Sequence, residues 1–326
     1  MTKNLVICKR VPESILNELE SQFHVSYYPN GEELENPIFV EKLLEADGIL
    51  GPKMANINLL EKAPRVKIIS NISVGYNNLD IELLTKRRIM ATNTPDVLTD
   101  TTADTMFGIL LAAARRIAEL DRFVKQGKWK ATITEEHFGI EVHHKTIGII
   151  GMGRIGEAIA KRAHFGFDMD VLYYNRTRKK EAEQKYDATY CQLDELLTRS
   201  DFVVLMTPLT EETRGMIGLH EFSLMKKTAI FINSSRGETV KEADLVQALQ
   251  QKLIRGAALD VYSKEPIEPD HPLLSFENVV TVPHIGSATK ETRDKMASLA
   301  SENIRLGLEG KVPPNVINPE VFQLGG

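Results

Sequence analysis

Six short apolar runs constrain this chain more than any other feature: Thr146–Ile150, residues 202–206, residues 229–233, Asp170–Tyr174, Gly256–Leu259 and residues 279–282. Each is strand-length and apolar on consecutive positions, so each reads as a strand buried on both faces. Amphipathic segments of helical period separate most of them. Strands buried on both faces and alternating with helices are the pattern of a doubly wound parallel sheet. The earlier part repeats the alternation more faintly. Residues 5–8 read as a strand, 13–22 as a helix, and Gly48–Leu50 and 66–70 as strands, the last leading into Val74-Gly75-Tyr76-Asn77-Asn78.

A chain of 326 residues exceeds what one core ordinarily serves, so two domains are expected. The turn formers Asn93-Thr94-Pro95-Asp96 mark the end of the first. Residues 101–120 read as one long helix, with Thr101 or Thr102 near its cap and Asp104 in its first turn. The tail from Lys290 is helical in pattern, ends in Val312-Pro313-Pro314-Asn315, and is expected to cross back to the first domain. We therefore place one domain at residues 1–98 and 289–326 and the other at 99–288. The fold class expected is α/β, with two Rossmann-like domains built on doubly wound parallel sheets.

Charge and composition exclude several functions. A net charge of −5 leaves no basic surplus for nucleic acid. The clusters Lys86-Arg87-Arg88 and Arg176 to Lys180 remain as local anion sites, the first reading better as a solvated helix end. Cys8 and Cys191 lie far apart and read as reduced packing residues. The N-terminus reads as a strand without a cleavage pattern, and residues 106–114, the longest apolar stretch, cannot span a bilayer. A cytoplasmic protein without membrane contact is expected. No His, Cys or carboxylate cluster has ligand spacing, so no metal is expected, and the adjacent His143 and His144 are expected to point to opposite sides.

The strand Thr146–Ile150 runs straight into Gly151-Met152-Gly153-Arg154-Ile155-Gly156, and a helix pattern follows from Glu157. In that context each glycine has a separate reason to be there. Gly151 permits a tight turn, Gly153 admits a pyrophosphate to the backbone, and Gly156 lets helix and strand approach. The N–H groups of the helix start then face the phosphates. The end of the next strand discriminates between dinucleotides. An NAD site usually carries a carboxylate there for the ribose 2′-OH, whereas this chain reads Asn175-Arg176-Thr177-Arg178-Lys179. Two arginines around a hydroxyl suit a 2′-phosphate, so NADPH is the expected cofactor, with NADH accepted less well. The alternative is that these cations decorate a surface turn.

Three more segments fall at strand ends, the edge where such sheets bind ligands. Arg236, in Asn233-Ser234-Ser235-Arg236-Gly237, can hold a carboxylate and polarise a carbonyl, or can serve as a surface ion-pair partner. His284, in Val282-Pro283-His284-Ile285-Gly286, is a natural proton donor near neutral pH. Glu265, in the loop after the preceding strand, is the best-placed carboxylate to orient it.

Taken together these motifs resemble the D-isomer-specific 2-hydroxyacid dehydrogenases from end to end. The likeness rests on Ser73 to Asn78, the glycine turn, Asn233 to Gly237, Leu259 to Pro266 and Pro283 to Thr289. Pro95 to Asp104 and His284 to Thr289 are most similar to the glyoxylate/hydroxypyruvate and 2-ketogluconate reductases. The resemblance implies reduction of a small 2-oxo acid to the D-2-hydroxy acid, with cofactor in the cleft between domains. Residues 1–98 and 289–326 would form the substrate-binding domain, and 99–288 the dinucleotide-binding domain with its dimerisation helix. Arg236 would orient the 2-oxo acid, His284 would donate the proton, Glu265 would support it, and the Val74 and Gly75 N–H groups would hold the substrate carboxylate.

The resemblance also implies cofactor contacts at Thr102, Arg154, Ile155, Thr207, Asp260 and Gly286. Asp260 would face the nicotinamide amide, unless it is an ordinary strand-end cap. A homodimer built around residues 101–120 is implied, with Trp129 either reaching the partner's site or anchoring the interface. Side chains such as Lys53 and Met54 would then influence substrate choice. Two rivals share the fold. A 3-phosphoglycerate dehydrogenase would normally show the acidic residue that Asn175 replaces. A nucleotide-sensing corepressor would prefer NAD and often carries extra tails.

Overall fold

The computed structural model describes residues 2–31 and 34–323. It divides into two compact units, Met1–Leu98 with Thr289–Gly326 and Thr99–Ala288. The first unit holds β1 (Asn4–Ile7), β2 (His24–Tyr27), β3 (Gly48–Leu50), β4 (Ile68–Ser70) and β5 (Met90–Thr92). Their order is β2-β1-β3-β4-β5, parallel throughout. This is a doubly wound order whose direction reverses between β1 and β3, which opens a crevice at the carboxyl ends of those strands.

Leu5, Ile7, Ile49, Leu50, Ile68 and Ile69 are wholly buried, which is why their runs are legible as strands. The edge strand β2 buries none of its residues fully, so no apolar run announces it. β5 escapes the sequence pattern as well, being only three residues long. The tail returns here: helix Lys290–Leu308 packs on β3, β4 and β5. Gly307 sets the depth of that packing, because a Cβ there would stand 2.3 Å from Ile68 Cδ1. Ser70 Oγ donates to the Ala300 carbonyl at 2.8 Å, and Thr92 bridges to Val316.

The second unit holds β6 (Thr146–Ile150), β7 (Asp170–Tyr174), β8 (Thr189–Tyr190), β9 (Phe202–Leu205), β10 (Ile230–Asn233), β11 (Gly256–Leu259) and β12 (Val279–Thr281). The order β12-β11-β10-β9-β6-β7-β8 is again parallel and reverses between β6 and β9. Alternate residues feed two cores: Ile147, Ile149 and Val204 on one face, Ile150, Val203 and Leu205 on the other. β8, only two residues long, has no sequence signal.

Three expectations need correction. Residues 101–120 are not one helix: the chain forms Thr99–Ala114 and then Ile117–Lys125. The apolar pattern runs through the break, but the hydrogen-bond ladder does not. The Ala114 carbonyl accepts from the Ile140 N–H at 2.8 Å, and Arg116 turns left-handed at φ 56° with its Nε 2.8 Å from Glu119 Oε2. The first helix also begins earlier than expected, so Asp100 occupies its first turn, and Asp104 lies beyond it, 2.6 Å from Arg162 Nη2. His143 and His144 do not diverge: their rings meet edge to face at 4.9 Å. No cluster able to hold a metal ion occurs among the described residues. No helix among them is long and apolar enough to cross a membrane.

Candidate active site

The glycine turn leaves β6 at the point where the second sheet reverses. Gly151 is left-handed at φ 105°, and a Cβ there would lie 2.8 Å from the Met206 carbonyl carbon, so the chain leaving β9 passes directly over it. A Cβ on Gly156 would stand 2.4 Å from the Gly151 oxygen, closing helix Arg154–Phe167 onto the turn. Gly153 differs: nothing lies within 4 Å of its missing side chain. A backbone that must be small on two sides and open on the third is a cradle that fits a pyrophosphate. Arg154 and Ile155 begin the helix above it, where the positive end of the helix dipole favours an anion. Thr207 follows β9 beside Gly151, its N 3.0 Å from the position of that absent Cβ.

β7 pairs with β6 and ends at Tyr174, whose carbonyl accepts from Gly151 N at 3.0 Å, so Asn175 to Arg178 begin beside the turn. Asn175 Nδ2 donates to the Thr177 carbonyl at 3.1 Å and shapes this loop. Arg176 is exposed. The Arg178 guanidinium is engaged by Glu183, with Nε to Oε1 at 2.7 Å and Nη2 to Oε2 at 2.9 Å.

Arg236 sits on a turn locked from within. Asn233 Oδ1, at the end of β10, accepts from Ser235 N at 2.9 Å and from Ser235 Oγ at 2.8 Å, and Thr239 Oγ1 donates to the Arg236 carbonyl at 2.6 Å. The Arg236 side chain is half-buried, and its burial lowers its pKa from the ordinary value. Gly237 is pressed against the next loop: a Cβ there would lie 1.8 Å from the Tyr262 carbonyl carbon.

That next loop carries Glu265, joined to Pro266 by a cis peptide. Glu265 Oε1 accepts from Tyr262 N at 3.1 Å, and Oε2 lies 2.7 Å from His284 Nδ1. Burial alone would raise the Glu265 pKa, but the His284 bond and charge, the Tyr262 N–H and the Arg236 charge outweigh it and hold the carboxyl below its usual range. His284 is left-handed at φ 52°, an uncommon state for a side-chain-bearing residue. With Nδ1 given to Glu265, Nε2 meets no partner among the described residues. A histidine oriented by a carboxylate, its other nitrogen open, can hand over or take up one proton.

The sequence reading named Asp260 as a cofactor contact or a strand-end cap, but not the bonds by which it holds the segment after His284. Asp260 is buried at the end of β11, and it accepts from Ile285 N at 2.6 Å, Gly286 N at 2.9 Å and Ser234 Oγ at 2.9 Å. Burial pushes its carboxyl up while those bonds pull it back. Gly286 belongs to the same cluster, since a Cβ there would meet Asp260 Oδ2 at 3.0 Å and Thr102 Cγ2 at 3.3 Å. The buried Thr102 lies in helix Thr99–Ala114. Tyr262 adds a second tie, its hydroxyl donating toward the Val282 carbonyl at 3.1 Å. These contacts depend on which loops the sheet order makes neighbours, and no local sequence pattern marks them.

Val74 and Gly75 lie in the first unit, on the loop leaving β4. Asn93 Nδ2 donates to the Val74 carbonyl at 2.8 Å, and Asn71 Nδ2 to the Gly75 carbonyl at 3.0 Å. The carbonyls are thus tied back, while the N–H groups of both residues meet no partner among the described residues.

Comparison with known proteins agrees with this geometry. Residues 107–286 match the family profile described as D-isomer specific 2-hydroxyacid dehydrogenase, NAD binding domain. The chain is 48% identical to glyoxylate/hydroxypyruvate reductase B of Escherichia coli K12, over 98% of this chain and 99% of that one. A Sinorhizobium meliloti NADPH-dependent glyoxylate/hydroxypyruvate reductase, solved with NADP and malonate, superposes with a TM-score of 0.87 at 29% identity, covering 98% of each chain. A Thermus thermophilus protein of known structure superposes at 0.88 with 37% identity, over 96% of this chain and 99% of its own. With the oriented histidine, the arginine turn and the glycine cradle on one sheet edge, this chain belongs to the D-isomer-specific 2-hydroxyacid dehydrogenases, an oxidoreductase family.

Proposed function

We propose that the protein reduces small 2-oxo acids, with glyoxylate, hydroxypyruvate and 2-ketogluconate as the candidate substrates, to D-2-hydroxy acids, and that it prefers NADPH while accepting NADH. The observation that carries this reading is the 2.7 Å pair of His284 Nδ1 with Glu265 Oε2, which leaves Nε2 for a substrate oxygen. A bound nicotinamide supplies the hydride. The Arg236 guanidinium holds the carboxylate and draws charge from the carbonyl, His284 delivers the proton from Nε2, and Glu265 fixes the ring and steadies its charged form. The Val74 and Gly75 N–H groups hold the substrate carboxylate. Residues 1–98 and 289–326 are the substrate-binding domain in this reading, and 99–288 the dinucleotide-binding domain.

Gly151, Gly153, Arg154, Ile155 and Gly156 would hold the pyrophosphate, with Thr102, Thr207, Asp260 and Gly286 around the rest of the dinucleotide. Asn175, Arg176, Thr177 and Arg178 would surround the 2′-phosphate. Because Glu183 already engages Arg178, Arg176 bears most of that task. The E. coli and S. meliloti relatives bear reductase names that support the substrate class, and the latter's NADP supports the cofactor.

A cytoplasmic homodimer is part of the proposal. Helix Ile117–Lys125 buries none of its residues, and Ile117, Val124, Trp129, Ile133 and Phe138 are all exposed. Such a surface on a helix of strongly one-sided pattern fits a second copy of the chain. The functional test is an initial-rate panel of glyoxylate, hydroxypyruvate, 2-ketogluconate and pyruvate, each with NADPH and with NADH. Turnover of the hydroxylated or aldehydic acids with NADPH ahead of NADH is expected. Absence of turnover with every acid would overturn the reading.

A further inference from the structure

Glu265 needs its own support, because its loop is exposed and leaves β11 without regular structure. The chain provides it from the start of helix Glu242–Gln250. Glu242 Oε2 accepts from Ser263 N at 3.0 Å, and Oε1 accepts from Ser263 Oγ at 2.6 Å. The same Oε1 lies 3.1 Å from His271 Nε2. Leu273 N–H donates to His271 Nδ1 at 3.3 Å, so Nδ1 is the acceptor nitrogen and Nε2 carries the hydrogen toward Glu242. One carboxylate therefore grips the loop two residues before Glu265 and six residues after it. Glu242 and His271 keep only 16% and 23% of their side-chain surface in solvent, so the bond between them is sheltered from competing water, whereas Ser263 is exposed.

We propose that Glu242 is a positioning residue for the active site, latching the Ser263–His271 loop so that Glu265 stays against His284. In its kinetic arm the inference rests on the functional reading above. Among the described residues none of the latch bonds reaches the glycine turn, so cofactor binding should not feel it. The groups that set the charge of Glu265 are His284 from the loop after β12, Arg236 from the turn after β10 and the Tyr262 N–H of its own loop. Loosening the latch weakens the first of these most, because that bond depends on where the loop places the carboxylate. Glu265 then regains a more ordinary pKa.

The test compares Glu242→Ala and Glu242→Gln with wild type, each also on a Glu265→Gln background. Expected for Glu242→Ala is a fall in kcat of about tenfold, since small misplacement of a reacting pair is costly. KM for NADPH stays at the wild-type value, and the acidic limb of kcat moves to higher pH. Glu242→Gln keeps the volume but presents an amide to one donor, so it shows a smaller change in the same direction. On the Glu265→Gln background neither substitution lowers kcat further, because the residue they act through is already gone. Carboxyl-carbon NMR of Glu265 supplies a readout without substrate, and in Glu242→Ala its titration moves up toward 4.5. Folded variants with wild-type kcat and an unmoved Glu265 titration would overturn the inference. So would losses that multiply with Glu265→Gln, or failure of both single variants to fold, which would make Glu242 a residue of the fold alone. If wild type reduces no 2-oxo acid, the functional reading falls, and the NMR titration still decides the role of Glu242.

Discussion

His284 Nδ1 and Glu265 Oε2 stand 2.7 Å apart although 19 residues separate them in sequence. They meet because β11 and β12 are adjacent and parallel, so the loops leaving the two strands emerge side by side. Replacing His284 with Ala removes the proposed proton donor and leaves the glycine cradle untouched. Turnover should fall by about 10²–10⁴, with NADPH affinity, followed by fluorescence titration, at the wild-type value. A variant that kept most of its turnover would remove His284 from the mechanism.

The pair also sets a pH dependence of stability. The Glu265 pKa in the folded chain lies below its ordinary 4.5, so the pair stabilises the fold fully above that value. The contribution disappears as pH falls through the depressed folded value. Glu265→Gln should therefore melt below wild type near neutrality, and the gap between the two Tm values should close in acid. A gap independent of pH would show that the carboxylate charge is not what matters.

The glycines make opposite predictions at two positions. Gly237→Ala puts a methyl carbon 1.8 Å from the Tyr262 carbonyl carbon, a backbone neighbour that cannot swing aside. We expect a loss of about 3 kcal/mol or more, seen in chemical denaturation. Gly153→Ala meets nothing within 4 Å. Its fold should lose about 1 kcal/mol or less, the cost of alanine at a helix cap, while NADPH binding weakens sharply. Equal effects of both changes on stability would contradict the open cradle.

Arg176→Ala should raise the Kd for NADPH by about 10- to 100-fold, the worth of a charge-assisted bond, and leave NADH binding unchanged. Arg178→Ala should do less, since Glu183 already holds that guanidinium. Equal losses for the two cofactors would place the 2′-phosphate elsewhere.

Val124→Glu places a charge on the exposed apolar face of helix Ile117–Lys125. Sedimentation should find a dimer for wild type and a monomer for this variant. A wild-type monomer would refute the assembly.

Strands buried on both faces were legible in the sequence because their residues are largely apolar: β6, β7 and β11 match the runs read for them residue for residue. Strands β2 and β8 sit at sheet edges, where partial exposure permits mixed residues and dissolves the signal. The break at Arg116 was hidden for a different reason. It is made by the chain at Ile140 taking the Ala114 carbonyl, a contact that no window around residue 115 contains. Arg236, Glu265 and His284 stood out because strand ends and family likeness pointed to the same residues. Ser234, Glu242 and Tyr262 did not, since each acts across a gap that only the strand order closes.

Asp260 binds at once to the exits of three strands, through Ser234 after β10 and through Ile285 and Gly286 after β12, from its own place after β11. Irregular backbone at a sheet edge ordinarily trades its amide hydrogens with solvent quickly, through small openings. Here the amides of Ile285 and Gly286 are released only when a buried carboxylate gives up its ligands, which loosens the serine turn in the same event. The segment beside His284 should thus exchange hydrogen on the timescale of the strands, and residues 285 and 286 should do so at a common rate.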